Sequence, residues 1–388
     1  MTLNFKRSFP LIGILCFVLT VNFKSHAQGC VAIRGFSSCN GNIINGGSNL
    51  MKGDFSVGTN IRYFESFRHF RGSHEETHRI EEGTQVINDS YFVDIAFNYA
   101  ISERVYATFL LPFVSHVRSS MYEHGGNPPN GLGERHNTRS SGLSDIRIGL
   151  GYWLFKPNTK SFNYALGAGI KLPTGDYSYM DTFYNQGPNR DRDELAVVDQ
   201  SIQPGDGGLG FNIDFQGYQM LSDSFTLTTS LYYLFNPEET NGVLTRGGRS
   251  EFSVPDQYAA LLGALYFPKI KGVSFYLGGR IEGVPSSDLI GGSGGYRRPG
   301  YAISVDPGIN YNTHNLSLSL NVPVAVERNR TQSFLDKQRT EETGVYRHGD
   351  AAFADYLINF NLTYRFRNKK SAMSHDMEDG SVDFNTIN

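Results

Sequence analysis

The chain has 388 residues, of which 39% are apolar and 19% charged, and its mean hydropathy of -0.34 leaves no apolar run long enough for a membrane helix beyond the first thirty residues. A net charge of -3 gives no support for a nucleic-acid-binding surface. The bulk of the chain therefore holds no helical span, and nothing in its charge points to nucleic acid.

In chain order, Lys6 and Arg7 precede an apolar stretch from Phe9 to Phe23, and Ser25-His26-Ala27 offers small residues at the positions a signal peptidase reads. Residues 1–27 are expected to be a signal peptide cleaved after Ala27. The competing readings are weaker: the apolar core is short for an anchor, and Gln28 and Ala27 fit a lipidation motif at Cys30 poorly. Cleavage removes Cys16 and leaves Cys30 and Cys39, which are expected to form a disulfide within a periplasmic segment, 28–51.

Twelve stretches of alternating apolar and polar residues follow, at 52–64, 90–100, 104–116, 143–155, 161–173, 208–221, 224–236, 255–267, 271–284, 300–311, 314–328 and 353–366. Their connections alternate between tight links (101–103, 156–160, 222–223, 268–270, 312–313) and long ones (65–89, 117–142, 174–207, 237–254, 285–299, 329–352). Short turns on one side and long loops on the other predict an all-β fold, a transmembrane antiparallel up-and-down β-barrel of about 12 strands over 52–366. The polar tail 367–388 reads as disordered. Such a barrel sits in the outer membrane of a Gram-negative bacterium with both termini periplasmic. Its partners are outer-membrane lipids, the barrel assembly machinery and a small-molecule solute, and it is expected to be a monomer that binds no nucleic acid and needs no cofactor.

The period-two rule divides each strand into two faces. Arg at the bilayer midplane costs about 2–4 kcal/mol on the lipid face and little in a wet lumen, so the polar faces must point inward. The expected lumen-lining set is Arg62, Asp94, Asp145, Arg147, Lys171, Asp214, Arg280, Glu282, Asp306 and Arg365, joined by Asp54 and Glu327, with ion pairs across the lumen. Inward Gly149, Gly151, Gly167, Gly169 and Gly278 are expected to leave room. Aromatic residues gather at strand ends in two girdles, among them Tyr99, Tyr152, Tyr266, Tyr311 and Phe366 near the tight turns, and Tyr63, Tyr91, Phe211 and Tyr233 near the long loops. Pro112, Pro173, Pro237, Pro285 and Pro323 recur late in odd strands or just beyond them, where a missing N–H marks a bulge or a strand end.

Motifs of chemistry are few. His74-Glu75-Glu76-Thr77-His78 satisfies H-E-x-x-H, but the flanking residues are charged on all sides and lie in a loop, so His74 and His78 are only weak metal candidates, with His69 nearby. Gly205-Asp206-Gly207-Gly208-Leu209-Gly210 matches G-x-G-x-x-G yet leads into a strand, not a helix. Arg297 and Arg298 beside a glycine-rich run could attract anions at the mouth, although a solvated loop is the simpler reading. No nucleophile elbow is present, and no catalytic residues are assigned.

The segments Gly142-Leu143-Ser144-Asp145-Ile146-Arg147-Ile148-Gly149 and Gly167-Ala168-Gly169-Ile170-Lys171-Leu172-Pro173-Thr174-Gly175-Asp176 resemble the outer-membrane barrel family associated with meta-pathway phenol degradation, which is similar in turn to long-chain fatty-acid transporter barrels. That resemblance implies a narrow passage for small, hydrophobic or aromatic compounds, with Asp145, Arg147 and Lys171 facing inward. The alternatives are an outer-membrane hydrolase working at the extracellular loops, or a structural or adhesive barrel in which loop 174–207, carrying Arg190 to Glu194, docks a partner.

Overall fold

The computed structural model describes residues 50–156 and 159–368. The signal peptide, the Cys30 and Cys39 pair and nearly all of the tail lie outside the described residues.

Alternation of side chains generates the wall. Twelve strands pair only with their sequence neighbours, all antiparallel: β1 Phe55–Arg71, β2 Ile87–Ala100, β3 Val105–Ser120, β4 His136–Leu143 continuing as Arg147–Trp153, β5 Phe162–Lys171 and β6 Gly210–Ser222. Then come β7 Phe225–Phe235, β8 Gln257–Tyr266, β9 Val273–Val284, β10 Gly300–Asn312, β11 Leu316–Asn321 continuing as Val324–Arg330, and β12 Ala351–Ala354 continuing as Ile358–Phe366. The barrel closes where β1 pairs with β12 from Phe55 opposite Phe366 to Tyr63 opposite Ile358. Closure leaves no unpaired edge, the condition for placing a sheet in hydrocarbon. At the tight-turn end the Asn368 N–H donates to Asp54 Oδ1 at 2.8 Å, holding the two ends of the barrel sequence together.

Burial follows the period-two assignment. Along β12, Ile358, Phe360, Leu362, Tyr364 and Phe366 are exposed while Asn359, Asn361, Thr363 and Arg365 are buried. Leu150, Leu166, Leu262 and Leu277 stand on the outer surface of their strands. Aromatic rings pack at both ends of that outer band, with Phe55 stacked on Phe366 at 4.3 Å near the tight turns and Tyr63 tilted against Tyr91 at 4.7 Å toward the long loops. This is the surface an apolar slab between two interfaces requires.

Three strands are broken, which the alternation alone did not predict. In β4 the ladder stops over 144–146, and its partner β3 carries Pro112 there, whose carbonyl still accepts from the Ser144 N–H at 2.8 Å. In β11 the interruption falls at Val322 and Pro323, facing Pro307 of β10, whose carbonyl accepts from Val322 N–H at 3.0 Å. The β12 break at 355–357 lies beside it, joined by the Leu357 N–H to the Pro323 carbonyl at 3.0 Å. A proline cannot donate to the ladder, so each break lies at or opposite a proline.

The β11 break also corrects one face assignment. The register of β10 against β11 shifts between Ile303 and Ser304, and Glu327 emerges exposed on the outer surface, where its carboxylate accepts from the Tyr301 hydroxyl at 2.5 Å. An extra residue in a bulge moves every later side chain to the opposite face.

The long loops carry structure of their own: a four-residue helix α1 (His78–Glu81) in the first, a hairpin of Met180–Gln186 with Arg192–Val197 in the third, a smaller one of Thr240–Leu244 with Glu251–Ser253 in the fourth, and helix α2 (Phe334–Thr343) in the sixth. Ser333 caps α2 in a capping box with Asp336, and Gly344 in the left-handed region ends it.

Candidate functional site

The inner wall is built from the inward residues of the strands. Arg62, Asp94, Asp145, Arg147, Lys171, Arg280, Glu282, Asp306 and Arg365 are buried there, with Asp54 beneath them and Asp214 partly buried. Several reach across the interior. Arg62 on β1 stands 3.8 Å from Glu282 on β9, with three strands between them around the wall on the shorter side, and its Nε donates to Asn359 Oδ1 at 3.1 Å. The Arg147 guanidinium on β4 donates to the Tyr232 hydroxyl on β7 at 2.6 Å, and Gln216 on β6 to Tyr106 on β3 at 2.6 Å.

Other charges are spent locally. Arg280 forks onto Glu282 in its own strand, with a contact of 2.5 Å. Asp306 accepts from Asn321 at 3.2 Å, Asp214 from Asn212 at 3.2 Å, and the Arg365 guanidinium donates to Ser317 at 2.5 Å. Asp145 and Lys171 serve the third long loop. Asp145 accepts from Gly175 N–H at 3.0 Å and Asp206 N–H at 3.1 Å, while Lys171 pairs with Asp206. Asp206 belongs to the glycine run that imitates a dinucleotide motif; its turn docks onto the wall and opens no helix.

The inward glycines do not leave open space. A Cβ on Gly151 would lie 2.1 Å from the Tyr106 ring, and one on Gly167 2.1 Å from the Asp214 carboxylate. On Gly278 it would meet the Tyr276 hydroxyl at 2.2 Å. These glycines admit a neighbour's side chain against the backbone, so the interior is crossed by polar side chains and not left vacant.

Parts of the inner wall are apolar, among them Tyr232 and Leu234 on β7 with Ala259 and Leu261 on β8. Phe64 on β1, Phe92 on β2, Val114 on β3 and Leu357 in the β12 break form a buried cluster, with Phe64 and Phe92 stacked at 5.8 Å and His116 edge-on to Phe92 at 5.1 Å. Toward the long loops a second cluster continues on β1 and β12 through Phe70, Ala351 and Phe353.

At the long-loop mouth the loops are locked by ion pairs, some within one loop and some between segments far apart in sequence. Arg298 in the fifth loop grips Asp199 in the third through two bonds of 2.6 and 2.7 Å, and Arg118 at the end of β3 reaches the same carboxylate at 3.7 Å and Glu123 at 2.9 Å. Arg297 forks onto Asp288, Arg330 contacts Asp336 at 3.1 Å, and Asp350 receives Arg79 at 2.7 Å and His69 at 3.0 Å. Burial alone would raise the Asp199 and Asp350 carboxyls. The neighbouring Arg118 and Arg298 for the first, and the His69 hydrogen bond with the Arg79 charge for the second, outweigh it and hold both below the usual carboxylate range.

His124 anchors a separate packed cluster of loops. Its Nδ1 accepts from the Tyr184 N–H at 3.0 Å, and its ring stacks on Phe183 at 5.5 Å. Burial pushes this imidazole down to about 4.

The metal motif does not assemble. His74 pairs with Arg71 in a two-residue strand, whereas His78 begins α1, so the two never share a helix face. Glu75 is held by Arg68 at 2.5 Å and His69 by Asp350. Sequence reasoning missed most of the mouth network. Inward phase at the end of β3 could have found Arg118, but Arg330 turns inward only through the β11 bulge, and no local signal pairs Arg298 with Asp199.

The resemblance seen in strands four and five extends further. Residues 44–192 match the family model described as "Putative MetA-pathway of phenol degradation", a span holding β1 to β5. Among solved structures, the chain is similar to an outer membrane channel from Pseudomonas putida F1 at 11% identity and a TM-score of 0.52, covering 82% of this chain and 97% of that one. It is also similar to the translocator domain of the autotransporter NalP from Neisseria meningitidis (9% identity, TM-score 0.41, 86% and 94% covered) and to a FadL homologue from Pseudomonas aeruginosa (8%, 0.39, 88% and 96%). No curated protein matches the chain. The first of these likenesses identifies the fold as that of an outer-membrane barrel.

Proposed function

We propose that this protein is an outer-membrane barrel that passes small hydrophobic or aromatic solutes. The observation that carries the reading is the buried apolar strip of Phe64, Phe92, Val114 and Leu357 on the inner wall, continued toward the mouth by Phe70 and Phe353. An aromatic solute gains from burial against such rings, at about 25 cal/mol per Å² of apolar surface removed from water. The family matched by residues 44–192 is described by phenol degradation, and the similar Pseudomonas putida F1 structure is a channel, which supports the same reading.

Lipid meets the outward leucines and aromatic girdles. The long loops face the cell exterior and the joined ends at Asp54 and Asn368 the periplasm, and the barrel is a monomer inserted by the barrel assembly machinery. Among the described residues no side-chain constellation favours hydrolysis.

Uptake of radiolabelled phenol and toluene into proteoliposomes tests this. The native protein should raise the rate over protein-free vesicles, and Phe92→Asp should lower it while conductance to salt persists. Equal uptake in vesicles with and without the protein refutes the reading.

A further inference from the structure

We propose that the cavity at the long-loop mouth binds the carboxylate of a small aromatic acid, an inference that rests on the passage reading and specifies the solute's charged end. The cavity has a volume of about 460 Å³ and is lined by residues from the ends of β1, β3 and β11 and from the first, second, fourth, fifth and sixth long loops. That size falls in the range of small-molecule sites.

Its charge is unusual for a surface hollow. Seven lining residues are arginines and none is lysine, whereas only Asp336 and Asp350 bring carboxylates into the lining. Even when Asp199, Glu123 and Asp288, which hold three of those arginines from behind, are included, an excess of two positive charges remains. Arg249 and Arg339 make no ion pair among the described residues. The planar guanidinium fork matches a carboxylate in two parallel hydrogen bonds, which a lysine ammonium cannot do.

The aromatic half of the ligand is read from the same walls. Tyr122 and Tyr296 line the cavity, with Arg298 lying over the Tyr296 ring at 5.1 Å, and Ala351 at its edge packs with Phe70 and Phe353. A ring held there with its carboxylate toward the arginines points its apolar body at the strip leading down the wall. An inorganic anion would use the charge and leave the rings idle.

The full-length protein in detergent micelles is titrated calorimetrically with benzoate, with benzamide as the uncharged isostere and with inorganic phosphate as the ring-free anion. Benzoate should bind at least about tenfold more tightly than either, which is about 1.4 kcal/mol of discrimination. The double variant R249Q/R339Q, whose side chains are exposed and carry no buried contact, should weaken benzoate by at least about threefold and leave benzamide unchanged. Benzamide or phosphate binding as well as benzoate, or benzoate binding that ignores the double substitution, overturns the site. Solute uptake is measured separately: benzoate binding to a barrel that admits no solute refutes the passage alone, and uptake without benzoate binding refutes the site alone.

Discussion

Replacing Arg62 by Ser removes a side chain that spans from β1 toward β9 and should both widen the ion path and change its charge preference. At 3.8 Å from Glu282, the guanidinium has a gross Coulomb attraction of about 4 kcal/mol at an effective dielectric near 20. Desolvation of both groups offsets most of it. Glu282 keeps Arg280 at 2.5 Å, so the substitution leaves no orphaned carboxylate, and the net loss is about 1–2 kcal/mol from the second arm and the Asn359 hydrogen bond. A barrel closed by continuous ladders tolerates that. The electrical consequence is larger, because Arg62 sits in the field of Arg280, Glu282, Asp94 and Asp306, two positive charges against three negative. Without Arg62 the cluster carries an excess of two negative charges within low-dielectric walls, which focus the field on passing ions. In planar bilayers, conductance should rise at least about twofold, and the reversal potential under a KCl gradient should move toward the potassium equilibrium. Arg62→Lys, which keeps the charge, should leave the reversal potential near that of the native protein. Unchanged conductance and reversal potential in Arg62→Ser would refute the argument and place the ion path away from these side chains.

Leu277, exposed midway along β9, becomes costly as an arginine: Leu277→Arg should destabilise the barrel in lipid vesicles by about 2–4 kcal/mol in urea titrations, and a cost below about 1 kcal/mol means this face does not meet hydrocarbon. Tyr232→Phe deletes the hydroxyl that accepts from Arg147 at 2.6 Å; conductance should rise while stability falls by about 1–2 kcal/mol, and a silent variant argues against that tie across the interior. The loop packing around His124 should depend on pH. Its folded imidazole titrates at about 4, below the ordinary 6.5, so the unfolded loop binds the proton first; the packing is fully stable above about 6.5 and loses up to about 3 kcal/mol as pH falls toward 4. Amide exchange over 121–136 and 180–197 should therefore accelerate at pH 4.5, and protection equal to that at neutral pH contradicts the assignment.

Legibility in the sequence follows the range of the interaction. Strands β2, β6, β7 and β9 were readable to within three residues because alternation is a local pattern enforced by the pleat and by two different solvents on its two sides. Glu327 was misread for the same reason: a phase count carried through Pro323 has no knowledge of a bulge. The inward glycines misled differently, since a small residue signals only that something approaches, and whether Tyr106 or empty space approaches Gly151 is decided by another strand. Lys171 was expected to meet a luminal carboxylate and instead holds Asp206, which arrives from the far end of the third loop. At the mouth the two ranges meet. Inward phase carries Arg118 past the wall to the rim, and that part of the site was present in the pattern, whereas Arg330 turns inward only through the bulge and Asp199 and Arg298 arrive through loops that no period describes. The loops hold their geometry by pairing with the rim arginines, so the solvated reading of Arg297 and Arg298 fails on burial: these side chains stand 1% and 13% exposed, and charges desolvated to that degree require partners of opposite sign. Partners are supplied for most of the rim's cations, while the exposed Arg249 and Arg339 line the cavity without an ion pair among the described residues.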